Sequence, residues 1–241
     1  MKRTERHHLK ENEVQKLVRR AGEVFESRRR QLSWTISAVV IVGVVALGYV
    51  AWREHAQTRA YALLADAMAV QSARIGPPPA PGTVSAAPYF PTVLERTQGA
   101  LKKFTAAADA YPSTDAGIFA RYQEAATYMA LGNASDAAKA YREVIDRAGN
   151  HLYGLMARLG LAEAQARAGQ YDQAIGTFKE LAERKDGSLP IDGILMQLGQ
   201  TYLEAGKRSD AQQTFNRLVG EFPDSPFSLD AKRELDNLKK T

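Results

Sequence analysis

Apolar residues form one long uninterrupted run near the start of the chain. From Ser33 to Trp52, twenty residues pass without a charged side chain. A helix of that length spans the roughly 30 Å hydrocarbon core of a bilayer, and Trp34 and Tyr49 lie where interfacial aromatic residues are common. A helix buried in a soluble protein would carry a polar stripe, and a cleaved signal peptide usually has a shorter leader and apolar region. We therefore predict an uncleaved transmembrane helix over 33–52.

Beyond this run, the apolar positions follow helical spacing and repeat every 37 residues. In each unit a small residue is followed four positions later by an aromatic one. The four pairs are Ala100/Phe104, Ala137/Tyr141, Ala174/Phe178 and Ala211/Phe215. Three glycines, each five residues before the alanine of its unit, keep the same period: Gly132, Gly169 and Gly206. The pattern predicts stacked antiparallel helix pairs, in which each glycine ends a first helix in a left-handed conformation.

The predicted fold is all-α: one N-terminal transmembrane helix, then an α-solenoid of about three to four helical hairpins. A final helix over Asp224–Lys240 is expected to cap the open end. The first unit is irregular, because residues 76–91 hold six of the ten prolines and cannot be helical. We expect the helix before this stretch to replace the missing partner of helix 93–110. The predicted segments are a basic arm (1–32), the span (33–52), an outward helix (53–75), a Pro-rich loop (76–92) and the repeat domain (93–241).

Charge predicts the orientation of the chain in the membrane. The net charge is +5, and residues 1–32 alone carry ten Lys/Arg against five Glu, so the remainder is neutral. Six basic residues lie within twenty positions before the span, and two lie within twenty after it. Basic flanks stay cytoplasmic, which predicts a single-pass bacterial inner-membrane protein with a cytoplasmic N-terminus and a periplasmic C-terminal domain. The basic arm belongs beside membrane lipid and does not indicate a nucleic-acid partner.

The repeat resembles the tetratricopeptide repeat (TPR), whose usual unit is 34 residues. The Gly-x4-Ala-x3-aromatic pattern, with a proline eight residues after the aromatic at Pro112 and Pro223, carries this resemblance, and GQYDQAIGTFKEL (169–181) matches it most closely. This chain departs from the family in its longer unit. It also has Arg121, Arg158 and Leu195 at the family's Trp-like position.

The order of arm, span, outward helix and repeats resembles the YfgM-like family, ancillary subunits of the SecYEG translocon. The stretch 100–145 is similar to the central region of that family. This resemblance implies a scaffold that binds translocon subunits, a periplasmic chaperone or exported client chains. The stretch 215–235 resembles instead the C-terminal repeats of periplasmic cell-envelope coordinators, so a coordinator of envelope assembly or division is the alternative. A regulator acting through the cytoplasmic arm is a third hypothesis.

No motif points to catalysis, a cofactor or a metal. The sequence has no cysteine, no Gly-rich phosphate loop, no nucleophile elbow and no His pair at ligand spacing. We interpret His55 and His151 as solvated or capping residues, and acidic residues such as Glu143 and Glu180 as members of solvated helix faces. The chain is therefore predicted not to be an enzyme.

In tetratricopeptide domains, the first helix of each hairpin lines the concave face. Carrying this over by position predicts a protein-binding surface whose members come from three successive units. They are Phe119, Tyr122 and Met129; Met156, Leu159 and Glu163; and Met196, Gln200 and Leu203. Three of the five methionines belong to this set, and flexible thioethers suit tolerant apolar binding. The alternative is that most of these residues are core, because apolar residues at helical spacing are usually buried.

Overall fold

The computed structural model describes residues 3–77, 88–184 and 189–240, with side chains described from residue 33 onward. Within these residues the fold is all-α, as predicted, apart from one pair of two-residue parallel strands. The strands are β1 (Arg74–Ile75) and β2 (Tyr89–Phe90). The helices are α1 (Arg3–Gln71), α2 (Val93–Ala110), α3 (Asp115–Ala130), α4 (Ala134–Ala148), α5 (Leu152–Arg167), α6 (Tyr171–Ala182), α7 (Ile191–Glu204), α8 (Arg208–Glu221) and α9 (Ser228–Lys240).

The chain divides into two compact units, residues 1–55 and residues 56–241. In the first unit, the apolar side chains of α1 from residue 33 onward are exposed; Trp34, for example, is 72% exposed and Leu47 is 73% exposed. Across the described residues, Ser33–Gln71 is the one helix long and apolar enough to cross a membrane by length and composition. The side chains of the basic arm, residues 1–32, lie outside the described ones.

The second unit is a series of helical hairpins whose turns are set by periodic glycines. Gly132, Gly169 and Gly206 have φ angles of 77°, 74° and 72°, in the left-handed region that favours glycine. At the first of these turns, the Gly132 N–H donates to the Met129 carbonyl (3.1 Å) and the Asn133 N–H donates to the Tyr128 carbonyl (2.9 Å). The same two bonds form at the other glycines. The predicted left-handed helix ends are therefore confirmed, and each is a Schellman cap.

Small residues let the paired helices come close together. Ala125, Ala162 and Gly199, which are spaced 37 residues apart, lie on the first helices of three hairpins, and both alanines are fully buried. A methyl group added at Gly199 would lie 2.7 Å from Cζ of Phe215, closer than carbon atoms pack. Phe104, Phe178 and Phe215 are fully buried and Tyr141 is 4% exposed, so the periodic aromatic residues are core residues.

The end of α1 forms the first hairpin together with α2. The side chains of Ala60, Leu64, Ala67 and Val70 on α1 are buried in one cluster with those of Ala100, Phe104, Ala107 and Ala108 on α2. Lys103 on α2 pairs with Asp66 on α1 at 2.7 Å, and Arg96 Nη1 donates to the Ala73 carbonyl (3.3 Å). Most of the predicted Pro-rich loop, residues 78–87, lies outside the described residues.

The last helix covers α8 but begins later than predicted. Ala231 and Leu235 of α9 are buried in the C-terminal core cluster, which is the capping role expected of this helix. The sequence predicted a start at Asp224, whereas α9 begins at Ser228. Residues 223–227 form turns, in which the Ser225 N–H donates to the Phe222 carbonyl at 3.1 Å and the residue before Pro226 is disfavoured from helix.

Candidate functional site

The first helices of three hairpins, α3, α5 and α7, present the residues that the sequence singled out. We call the surface formed by these residues the first-helix face. Gln200 is exposed, whereas Met129 and Met196 are buried. The remaining six are partly buried: Phe119, Tyr122, Met156, Leu159, Glu163 and Leu203. The face is thus a mixture of core side chains and side chains that are half open to solvent.

Aromatic rings meet where α3 and α5 adjoin. The Phe119 ring lies 6.3 Å from that of Tyr122 and 5.3 Å from that of Tyr153, measured between centroids. The Tyr122 ring meets the Tyr141 ring edge-on at 5.7 Å. Burial, with a smaller contribution from the Glu163 carboxylate, raises the pKa of Tyr122. These tyrosines therefore keep their hydroxyl protons at neutral pH and can donate hydrogen bonds.

Glu163 places a carboxyl group in the middle of the first-helix face. Burial raises its pKa, and Arg167, one turn further along α5, opposes this only in part. Gln197 Nε2 on α7 donates to Glu163 Oε1 at 3.1 Å. Among the described residues, no Lys, Arg or His lies within ion-pair distance of this carboxylate. The carboxylate is therefore half-buried in an apolar setting with one amide donor.

A cavity of about 360 Å³ opens beside α5 and α7. Three of the predicted binding residues line it: Leu159, Met196 and Gln200. Its other walls are Pro190, Gly193, Ile194, Gln197, Phe227 and Asp230. Gln197 belongs both to this wall and to the hydrogen bond with Glu163, so the cavity and the carboxylate adjoin.

Sequence reasoning missed a buried ion network outside the first-helix face. Arg121 on α3 pairs with Asp109 on α2, with Glu124 at 2.5 Å and with Glu143 on α4 at 3.2 Å. Thr105 on α2 donates a further hydrogen bond to Glu124 at 3.0 Å. The interpretation of Glu143 as a simply solvated residue is thus wrong. Arg121 occupies the family's Trp-like position, and that replacement was the available signal.

The remaining candidates show no sign of chemistry. His151 is exposed at the N-cap of α5 and makes no side-chain cap hydrogen bond. In the described part of the chain, no group of three His, Cys, Asp or Glu side chains could hold a metal ion. What the first-helix face offers is an apolar surface, tyrosine hydroxyls and one carboxylate, which is the equipment of a binding surface.

Comparisons with known proteins agree with this architecture. Crystal structures of TPR-like repeats from a putative kinesin light chain of Podosopora anserina match 76% of this chain and 86% of that one, with a TM-score of 0.58 at 15% identity. The crystal structure of MamA matches 61% of this chain and 79% of that one, with a TM-score of 0.51 at 15% identity. At such identities these likenesses concern the fold alone. No curated protein matches the chain.

The family model that matches the chain covers residues 30–238 and describes a tetratricopeptide repeat-like domain. That range includes the apolar segment, the first hairpin and every later hairpin described above. Domains of this fold bind other proteins. The chain belongs to the tetratricopeptide repeat-like domain family.

Proposed function

We propose that the chain is a non-catalytic, membrane-anchored scaffold whose first-helix face binds extended segments of periplasmic proteins, as an accessory of Sec-dependent export. One observation carries the proposal: half-open apolar side chains of α5 and α7 surround a cavity of about 360 Å³. Leu159 at this cavity is only partly buried, and Gln200 is exposed. A cavity of this size and lining accepts apolar side chains of a partner while its amides hydrogen-bond the partner's backbone.

The anchor in this proposal is the apolar segment 33–52. Its exposed side chains would lie against lipid, and the basic residues before it favour a cytoplasmic N-terminus. The repeat domain then faces the periplasm from the inner membrane. The outward helix 53–75 and the repeat domain 93–241, joined by the Pro-rich loop 76–92, complete the proposed division of the chain.

The export role is supported by the arrangement of arm, span and repeats, which resembles ancillary translocon subunits. The partners proposed from it are translocon subunits, a periplasmic chaperone and newly exported chains. A tether beside the export channel would raise the local concentration of the repeat domain around emerging chains, since linked sites bind intramolecularly.

Site-specific crosslinking in intact cells tests the proposal. A photoreactive amino acid is placed at Met156 or Leu159, and in a control variant at Gln212, which is exposed on α8. We expect adducts with translocon subunits and exported chains from the first two positions only. Adducts mainly with peptidoglycan or division proteins, or equal labelling from Gln212, would refute the export role.

The proposed topology has a direct test because the chain has no cysteine. Ser209→Cys lies on α8 and Ser27→Cys lies in the basic arm. A membrane-impermeant maleimide added to spheroplasts should label the first variant and spare the second. The opposite labelling would reverse the orientation.

A further inference from the structure

Glu163 differs from the other strongly buried acid of the repeat domain. Glu124 is 3% exposed, and its charge is met by Arg121 at 2.5 Å and by the Thr105 hydroxyl at 3.0 Å. Glu163 has no such cation among the described residues and receives one amide hydrogen bond, from Gln197. A carboxylate that is half removed from water without a counter-ion costs free energy. Such a cost is typical of functional positions.

The surroundings of Glu163 favour a cation that arrives from outside. The Glu163 carboxylate acts on both Tyr122 and Tyr141, whose rings meet at 5.7 Å, so aromatic faces lie close to it. Aromatic faces and a carboxylate together attract an ammonium or guanidinium group. Leu159 lies one turn before Glu163 on the same helix and lines the cavity. An apolar side chain and a basic side chain of one extended segment could therefore be bound together.

We propose that the segment bound by the first-helix face places a Lys or Arg side chain against Glu163 and a neighbouring apolar side chain in the cavity beside it. This inference rests on the proposed function and adds the chemistry of its ligand. The occupant is an extended polypeptide with alternating basic and apolar residues. An acidic segment is disfavoured, because a second carboxylate beside Glu163 would be repelled in a site of reduced dielectric constant.

Peptide binding to the full chain tests the inference. The probe is a short fluorescein-labelled peptide in which Leu and Lys alternate with Ser, and its counterpart carries Gln in place of Lys. The protein is held in nanodiscs of zwitterionic lipid, so that the cationic peptide is not attracted to the bilayer. Fluorescence anisotropy gives the Kd of each peptide for each variant.

Glu163→Gln is the decisive variant, because it keeps the shape of the side chain and the bond from Gln197. We expect it to weaken binding of the Lys peptide about tenfold, the usual worth of one charge-assisted hydrogen bond, and to leave the Gln peptide unchanged. Glu180→Gln removes the same charge from α6, where the side chain of Glu180 is 65% exposed. This control should bind both peptides as the unaltered protein does.

Two contrary results have different meanings. If Glu163→Gln binds the Lys peptide as tightly as before while Leu159→Gln weakens both peptides, the face binds polypeptide but the cation preference is refuted. If neither peptide shows saturable binding, or if Leu159→Gln, folded by circular dichroism, binds as before, the proposed function is refuted as well.

Discussion

Gly199→Ala tests the close approach of α7 and α8. The added methyl group would lie 2.7 Å from Cζ and 2.8 Å from Cδ1 of Phe215, a ring that is fully buried. Forcing one methyl into a packed core costs about 1–3 kcal/mol, whereas alanine in place of glycine inside a helix gains up to about 1 kcal/mol. The net effect on the free energy of unfolding should be a loss of up to about 2 kcal/mol.

Gly176→Ala supplies the matched control. Gly176 lies inside α6, and an added methyl group would have no atom within 4 Å. This variant should gain up to about 1 kcal/mol of stability from helix propensity alone. The free energies of unfolding of the two variants should therefore differ by about 1–3 kcal/mol, and that difference is the steric cost at Phe215.

Urea unfolding of the full chain in nonionic detergent, followed by far-UV circular dichroism, measures both variants. The denaturant dependence should be unchanged, so that the shifts in midpoint report stability. Combining Gly199→Ala with Phe215→Leu should reduce the cost of the alanine, because the leucine leaves room for the methyl group. If Gly199→Ala is stabilised as much as Gly176→Ala, the two helices do not meet at this position.

Three further predictions concern charge and turn geometry. Arg121→Met leaves the buried carboxylate of Glu124 without its cation, so urea unfolding should show a loss of about 3–5 kcal/mol, against less than about 1 for the exposed Arg233→Met. The raised pKa of Glu163 means that the stability contributed by its proton is complete below its ordinary pKa and is lost as pH rises through the raised value. Glu163→Gln should therefore raise Tm at neutral pH, with the gain vanishing below about pH 4; a gain that is constant with pH would contradict this. Gly169→Ala, at a φ of 74°, should cost about 1 kcal/mol in the same urea assay, and an unchanged midpoint would argue against the Schellman cap.

The hairpins could be predicted because their signals are local and periodic. The left-handed conformation at Gly169 and the burial of Phe178 each follow from a residue type at a fixed place in the unit. The prolines after α2 and α8 act in the same way: these helices end at Ala110 and Glu221, two residues before Pro112 and Pro223. Such features depend on few neighbours, so one sequence suffices to place them.

The ion network and the openness of the first-helix face could not be predicted in this way. Whether Arg121 points toward solvent or toward Glu124 depends on how α2, α3 and α4 are packed together. The same holds for Met196, which is 7% exposed, and Gln200, one turn later on α7, which is exposed. Helical spacing gives both residues the same face, and only the positions of α5 and α9 decide how far each is covered.

The packing of α1 on α2 also affects what proteolysis would do to the chain. A protease cutting within residues 78–87 would break the covalent link to α2 but leave Leu64 and Val70 in their shared cluster with Phe104. The two fragments would remain associated as a noncovalent pair, so a nicked molecule would stay attached to its apolar segment. Shedding of an intact repeat domain would need a cut before Ala56, where the buried positions of α1 begin.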